Sequence, residues 1–125
     1  MGNTYNNNVI GTVGTTSALV LYAEDVANST TVNSGGNLFV SSGGTANNTT
    51  VNSGYLGVGS GGTANSTTVN DRGSMAVSSG GTANSTTVSS GGQLWVSSGG
   101  TATNAVIAAG GRMGITLASD TLFQG

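Results

Sequence analysis

The sequence predicts an all-β fold, a single-stranded β-helix (β-solenoid) with coils of about 19 residues. Two observations carry this prediction. A sequence repeat of about 19 residues recurs along the chain, and within each copy apolar residues alternate with polar or small ones. A fixed period of this length is the signature of a repeat architecture. Alternation with a period of two is the pattern of a half-buried strand.

The repeat divides the chain into coils and tails. Four clear copies open with Ala-Asn-Ser-Thr-Thr-Val, or with Ala-Asn-Asn-Thr-Thr-Val in the second, which is one residue shorter in its Asn52-Ser53-Gly54 turn. Degenerate copies flank them, so we expect about six coils, and about three suffice for a stable array. The predicted boundaries are a tail 1–7, a first coil 8–26, clear coils 27–45, 46–63, 64–82 and 83–101, a last coil 102–118 and a tail 119–125. The last five residues, Thr121-Leu122-Phe123-Gln124-Gly125, resemble a picornavirus protease recognition site, so they are either native or an expression-vector remnant.

Two short strands are predicted in each coil, one over Ser-Thr-Thr-Val and one over x-Leu-x-Val. Glycine pairs and Asn-Ser-Gly runs separate them and are predicted to supply the φ > 0 positions of tight turns. Because side chains alternate across a strand, three apolar columns are expected to point inward. The first two are Leu19, Leu38, Leu56, Met75, Leu94, Met113 and Leu21, Val40, Val58, Val77, Val96, Ile115, and the third is Val13, Val32, Val51, Val69, Val88, Ile107. Outward positions hold Val20, Phe39, Gly57, Ala76, Trp95 and Gly114, while Ala27, Ala46, Ala64, Ala83 and Ala102 fill a tight corner.

Asparagine and threonine recur at fixed positions of the coil. Identical neutral side chains about 4.8 Å apart in adjacent coils can hydrogen-bond along the axis as ladders, whereas stacked like charges would repel. The scarcity of charge is thus a property of the fold. Asn28, Asn47, Asn48, Asn65 and Asn84 also match the N-glycosylation sequon, and we interpret them as ladder residues.

The composition argues against most chemistry. Among 125 residues there are 2 Lys and Arg, 4 Asp and Glu, and no His, Cys or Pro. The commonest general base, the thiolate nucleophile and the main zinc ligands are therefore missing, so we expect no enzyme, no cofactor and no metal site. Glu24, Asp25, Asp71 and Asp120 do not recur as a solenoid calcium motif requires, and are interpreted as solvated surface charges.

The same composition bounds the partners and the location. Two arginines cannot neutralise a phosphate backbone, which argues against nucleic acid. No apolar run reaches the roughly 20 residues of a membrane span, and the N-terminus lacks the pattern of a signal peptide. We therefore expect no membrane insertion by this chain, which is either a cytoplasmic protein or a fragment that has lost its signal, and we favour the fragment.

The unit Asn-Ser-Thr-Thr-Val-x-Ser-Gly-Gly-x-Leu-x-Val-Ser-Ser-Gly-Gly-Thr-Ala resembles the passenger repeats of AIDA-type, TibA-like autotransporter adhesins of Gram-negative bacteria, over residues 27–105. The resemblance implies a right-handed β-helix displayed on the bacterial cell surface, or outside the cell, as part of a passenger. It also implies O-linked heptose, attached to Ser or Thr by a dedicated cytoplasmic heptosyltransferase before export. In that family the acceptor lies in a short loop between two short strands.

Carried onto this sequence, the resemblance assigns candidate acceptors to the two turns of each coil. They are Ser34, Ser53 and Ser90 in the first turn, and Ser41, Ser42, Ser60, Ser78, Ser79, Ser97 and Ser98 in the second. The third clear coil has Asp71-Arg72-Gly73 in its first turn and so no acceptor there. The leading hypothesis is a structural or adhesive surface module that carries glycan, with the heptosyltransferase as modifying enzyme and a host or bacterial cell surface as target.

Two other functions remain open. The end coils are more apolar than the central ones and lack the charge or proline that usually blunts a sheet edge, which favours self-association through the solenoid ends or faces into a filament. Hydroxyl ranks such as Ser29-x-Thr31 are a pattern that other solenoids use to bind ice or polysaccharide, although Ser and Asn alternate in these ranks. Phe39 and Trp95 are interpreted as isolated exposed aromatics about three coils apart.

Overall fold

The structure is a computed structural model that describes residues 4–6, 9–11, 18–97, 99–115 and 122–123. Within these ranges the chain forms 19 short strands. In chain order they are β1 (Thr4–Asn6), β2 (Val9–Ile10), β3 (Ala18–Leu21), β4 (Val26–Asn28), β5 (Thr31–Val32), β6 (Asn37–Val40), β7 (Thr45–Asn47), β8 (Thr50–Val51), β9 (Tyr55–Val58), β10 (Thr63–Asn65), β11 (Thr68–Val69), β12 (Ser74–Val77), β13 (Thr82–Asn84), β14 (Thr87–Val88), β15 (Gln93–Val96), β16 (Thr101–Thr103), β17 (Val106–Ile107), β18 (Arg112–Ile115) and β19 (Leu122–Phe123).

The strands visit three parallel sheets in a fixed order. Sheet 1 runs β1-β4-β7-β10-β13-β16-β19, sheet 2 runs β2-β5-β8-β11-β14-β17, and sheet 3 runs β3-β6-β9-β12-β15-β18. Each strand therefore pairs with the strand three places earlier in the chain. Equivalent residues of adjacent coils lie side by side, as Leu38 does with Leu56 and Val40 with Val58. This arrangement confirms the predicted β-solenoid.

The core lies between the three sheets and consists of the predicted inward columns. Phe39 and Trp95, at 39% and 47% exposure, point outward as predicted. Burial of a Leu or Val side chain contributes about 1.5–3 kcal/mol, so the stacked columns are the main stabilising feature. At most 3% of any member of the following set is exposed: Leu21, Leu38, Val40, Leu56, Val58, Met75, Val77, Leu94, Val96, the third-column residues Val32, Val51, Val69 and Val88, and the five corner alanines.

The first coil differs from the prediction. Ile10 pairs with Val32 and is only 1% exposed, so it takes the core position predicted for Val13, which lies outside the described residues. The predicted tail 1–7 contributes β1, which pairs with β4 in sheet 1. The 19-residue period could not predict the pairing of β1 and β2, because paired strands of adjacent coils can be joined by a connection longer than the period.

The C-terminal end also differs from the prediction. β19, from the predicted tail 119–125, pairs with β16 in sheet 1. Ile107, predicted to be a core residue, is 36% exposed, because β17 is the edge strand of sheet 2. Leu19 and Met113 in the edge strands of sheet 3 pack against the core but are only partly buried. The side chain of Ile115 lies outside the described set.

Each coil has three strands, whereas two were predicted. Only the last two residues of the predicted Ser-Thr-Thr-Val strand are in a strand, as in β5. The additional strands, those of sheet 1, are formed by triplets such as Thr-Ala-Asn. A corner residue with positive φ separates them, Ser29 at 58° and Asn48 at 57° in the next coil. The N–H of Ser29 donates to the carbonyl oxygen of Asn47 at 2.9 Å. The row of hydroxyls predicted at positions such as Ser29-x-Thr31 is therefore interrupted at this corner. Asn48, interpreted from the sequence as a ladder residue, joins no ladder among the described residues.

Asparagine ladders form along the axis as predicted. Nδ2 of Asn47 donates to Oδ1 of Asn28 at 3.1 Å, and the same contact links Asn65 to Asn47 at 2.9 Å and Asn84 to Asn65 at 2.9 Å. A second ladder links Asn70 to Asn52 at 2.7 Å. These bonds satisfy half-buried amides in place of water.

The threonines after the corner form no such ladder. Thr30, Thr49, Thr67 and Thr86 are at most 1% exposed. The Oγ1 atoms of the first three have no hydrogen-bond partner among the described residues. An unpaired buried hydroxyl costs about 1–3 kcal/mol, so these side chains act as space-filling members of the core and are closed to solvent.

Asp25 is the exception among the carboxylates. It is 6% exposed and its Oδ2 accepts a hydrogen bond from the N–H of Tyr22 at 2.9 Å, so its interpretation as a solvated charge is wrong. The carboxylate closes the first turn after sheet 3, and its neighbour Glu24 is exposed with φ of 67°.

No three His, Cys, Asp or Glu side chains in the described ranges group as metal ligands, and none of those ranges forms a helix long and apolar enough to cross a membrane.

Candidate functional site

The predicted acceptors lie in two rows of turns. The sheet 3 row follows β6, β9, β12 and β15 and contains Ser41–Gly44, Gly59–Gly62, Ser78–Gly81 and 97–100. In each turn the N–H of the fourth residue donates to the carbonyl oxygen of the first at 2.8–2.9 Å. The third residue is glycine with φ between 80° and 88°. Positive φ at the third position alone is the mark of a type II turn.

The two glycines of each pair are needed for different reasons. The predicted positive φ is found at the first glycine of the pair. The second, such as Gly62, has ordinary φ, but a Cβ there would lie 2.5 Å from the carbonyl oxygen of Val40 in the preceding coil. For Gly81 the corresponding distance to Val58 is 2.8 Å. The backbone of one coil thus lies directly on the next, and the absence of a side chain allows it.

Serines in the second position of these turns are exposed to solvent. This holds for Ser42, Ser60 and Ser79 in the sheet 3 row, and for Ser34 and Ser90 in the turns after sheet 2, named the sheet 2 row. Their hydroxyls make no hydrogen bond to another described residue. The first-position candidates follow a similar pattern, with Ser78 and Ser97 exposed and Ser41 half-buried. Ser98 lies outside the described residues.

The serine hydroxyls of the sheet 3 row are stacked along the axis. A Cβ on Gly61 would lie 2.9 Å from Oγ of Ser42, and a Cβ on Gly80 would lie 2.6 Å from Oγ of Ser60. Each hydroxyl therefore lies over the glycine of the following coil. The turns are also tied together, because the N–H of Gly61 donates to the carbonyl oxygen of Gly80 at 2.9 Å. The result is a row of hydroxyls about 4.8 Å apart.

The sheet 2 row is interrupted. Ser53 lies in the shortened turn with φ of 56°, and its Oγ donates to the backbone carbonyl of Asp71 at 3.2 Å. Asp71 and Arg72 occupy the second and third positions of the next turn, where Arg72 has φ of 64°. Ser53 therefore differs from the other candidates, because its hydroxyl already has a partner.

This arrangement suits a passive acceptor. A serine hydroxyl without an adjacent base is a weak nucleophile, so covalent modification of these turns needs an external enzyme. Two features were not found from the sequence. Ser89, a half-buried first-position serine beside Ser90, belongs to the same turn, and Tyr55 forms an aromatic pair with Phe39. Comparing each column of the repeat for departures would have shown the tyrosine.

The fold and its turns define a class, that of repetitive parallel β-solenoids with rows of exposed serines at their turns. A family model described as "Adhesin of bacterial autotransporter system, probable stalk" matches residues 5–55 and 52–92 of the chain. The chain therefore belongs to the AIDA family of bacterial autotransporter adhesins, and membership implies a cell-surface or extracellular location.

One solved structure is a relative in sequence as well as in fold. The crystal structure of the TibC-catalyzed hyper-glycosylated TibA55-350 fragment is 47% identical to this chain and superposes with a TM-score of 0.87. The match covers 89% of this chain and 41% of the solved chain, so the chain spans less than half of the solved fragment's length. No curated protein matches the chain.

Proposed function

We propose that this chain is a non-catalytic stalk segment of a surface adhesin, which displays O-linked heptose on the serines of its turns. The observation that carries the proposal is the sheet 3 row, where the second-position hydroxyls of Ser42, Ser60 and Ser79 are exposed, unpaired among the described residues and repeated in three successive coils. A transferase that modifies one such turn meets the same geometry at the next. The glycosylated state of the TibA fragment supports the same assignment.

The rigid stack supports the stalk role. Parallel pairing in register leaves each coil attached to its two neighbours through all three sheets, so length is added at about 4.8 Å per coil. Sugars along the turns would thicken this rod and face the surroundings, where contact with a host or bacterial cell surface takes place. The absence of His and Cys from the sequence supports a non-enzymatic role.

Co-expression with a heptosyltransferase of this family is expected to place sugar on turn serines and to leave Thr30, Thr49, Thr67 and Thr86 bare. The turn serines are exposed, whereas these threonines are at most 1% exposed and cannot enter an active site without unfolding of the coil. The measurement is intact mass followed by peptide mapping. A matched pair compares an exposed turn residue with a buried residue, because Ser79→Ala should remove one sugar whereas Thr86→Ala should remove none. Sugar found mainly on the four threonines would contradict the proposal.

Self-association is a second candidate property, favoured by apolar exposure at the two ends of sheet 2. Val9 is 44% exposed on β2, and Val106 is 58% exposed on β17, and both are edge strands of that sheet. Unpaired edges of this kind pair readily with another chain. We expect the scattered-light molar mass of the isolated chain to rise with concentration, and Val106→Lys to suppress the rise.

Trp95→Lys is the control for this experiment, since it removes an exposed apolar side chain that does not lie in an edge strand. A chain that stays monomeric throughout a dilution series, or that loses association equally in both variants, would remove the filament candidate.

A further inference from the structure

In the coil that contains β9, three residues differ from their equivalents in the two adjacent coils, and they lie on the outer side of sheet 3 or in the turn that follows it. Tyr55 begins β9 where the two adjacent coils have Asn37 and Ser74, Gly57 takes the outward position in the same strand, and Gly59 stands where the other turns of the sheet 3 row have serine. Here one change adds an aromatic wall and two remove side chains beside it.

Aromatic rings line the resulting space on one side. The rings of Phe39 and Tyr55 have centroids 5.8 Å apart and planes inclined at 58°. Both lean over Gly57, since a Cβ there would lie 3.1 Å from Cδ1 of Phe39 and 3.1 Å from Cε2 of Tyr55. Such tilted pairs stabilise each other and hold their rings in place. The pair therefore forms a preformed wall, part of which is exposed, as Phe39 is at 39%.

Beside this wall lies an open cleft of about 210 Å³. Besides the two aromatic residues, it is lined by Gly57–Gly59 and by Ser41 and Ser78 of the two adjacent coils. No charged side chain lines it. The cleft thus combines an aromatic surface with hydroxyl and backbone hydrogen-bonding groups, and it lies outside the stack of second-position acceptor serines.

We propose that this cleft binds one neutral pyranose ring of a glycan. The apolar C–H face of a pyranose matches an exposed aromatic ring, while its hydroxyls match serine hydroxyls and backbone groups. A charged ligand would lose water without gaining an ion-pair partner, which favours a neutral sugar. Pockets for drug-sized ligands measure about 300–1,000 Å³, so this smaller cleft suits a single ring.

The site is independent of the acceptor function, although the two meet at the margin. Heptose on Ser41 or Ser78 would enter the cleft and compete with a sugar from another molecule, so unmodified protein presents the open site. Affinity for a single ring is expected to be weak, with a dissociation constant on the order of a millimolar or above. Many copies on one cell surface would raise the effective affinity.

The test is saturation-transfer-difference NMR on protein produced in a host without a heptosyltransferase. The probes are methyl α-D-mannopyranoside, methyl β-D-galactopyranoside and methyl β-D-glucopyranoside. We expect saturation transfer to the ring protons of at least one glycoside, together with shifts of the Phe39 and Tyr55 ring resonances. Gly59→Ser should weaken binding about tenfold or more. This variant restores the residue found in the other turns, and a Cβ at position 59 has its nearest neighbour 3.5 Å away, so the coil should fold normally.

Trp95→Ala is the matched control, because Trp95 is an exposed aromatic in the same sheet that lies across Gly114 and bonds to Gln93 through its Nε1 at 3.1 Å. Binding should survive this change. Tyr55→Asn, which restores the residue of the preceding coil, should abolish it. Absence of saturation transfer from all three glycosides, unchanged binding by Gly59→Ser, or equal loss in Trp95→Ala would each overturn the proposal, whatever the state of the acceptor serines.

Discussion

Leu56→Asp is expected to abolish folding of the chain. Leu56 has no exposed surface and lies between Leu38 and Met75 in the inward column of sheet 3. An unpaired carboxylate there would lose its hydration without gaining a partner, at a cost of several kcal/mol, and the loss of the buried leucine side chain adds about 2–5 kcal/mol. The sum is comparable with the whole stability of a domain, about 5–15 kcal/mol. Far-UV circular dichroism at 25 °C should show the loss of β-structure.

Two controls separate burial from chemistry in this experiment. Leu56→Met keeps the volume and should cost less than about 1.5 kcal/mol. Ser74→Asp places the same charge on the outward-alternating side of β12 and should leave the fold intact, because that residue is only half-buried and the carboxylate can stay hydrated. A folded Leu56→Asp variant would show that the inward assignment of this column is wrong.

Gly62→Ala is expected to lower the free energy of unfolding by about 3 kcal/mol, through overpacking. A Cβ at this position would lie 2.5 Å from the carbonyl oxygen of Val40 and 3.0 Å from its Cγ1. The oxygen belongs to a backbone that is fixed by sheet hydrogen bonds, among them one from the N–H of Gly59 at 2.7 Å. Relief therefore requires the two coils to separate, which breaks contacts in all three sheets.

The same turn supplies two matched comparisons for this variant. Gly61→Ala must place alanine at φ of 80°, which costs about 1–2 kcal/mol. Its Cβ would lie 2.9 Å from the hydroxyl oxygen of Ser42, which can rotate away, and 3.1 Å from the Cα of Ser42, a milder contact than the one at Gly62. Gly59→Ala meets nothing closer than 3.5 Å and should change stability by less than about 0.5 kcal/mol. All three variants make the same chemical change and alter the unfolded chain equally. Urea unfolding midpoints in the order 59, 61, 62 are expected, from most to least stable, and equal midpoints would contradict the close-approach argument.

The repeat itself determined much of this protein. A core column such as Leu38, Leu56, Met75 and Leu94 could be read from the sequence, because each coil must present an apolar residue where its neighbour does. The ladder of Asn28, Asn47 and Asn65 could also be predicted from the sequence, since stacking at about 4.8 Å allows identical amides to hydrogen-bond. The turn serines were predicted as candidate acceptors from the residues of the repeat unit and from its family resemblance.

The ends of the solenoid were not determined in this way. Ile10 replaces Val13 in the core and β1 lies in the predicted tail, because a strand at an end needs only a pairing partner and not the 19-residue period. Ile107 has the right chemistry for the core but lies in an edge strand, so its burial depends on a neighbour and not on its own coil.

Contacts between coils were decided by the tertiary structure alone. The sequence contains glycine pairs, but it does not distinguish a glycine that turns the chain, such as Gly61, from one that lets a carbonyl oxygen approach, such as Gly62. It contains Phe39, Tyr55 and Gly59 at separations that look unrelated, and only the register of β6 against β9 brings them to one cleft. The physical reason is that the period fixes which residues are equivalent, whereas backbone approach and ring orientation depend on the distance between neighbouring coils, which no single coil encodes.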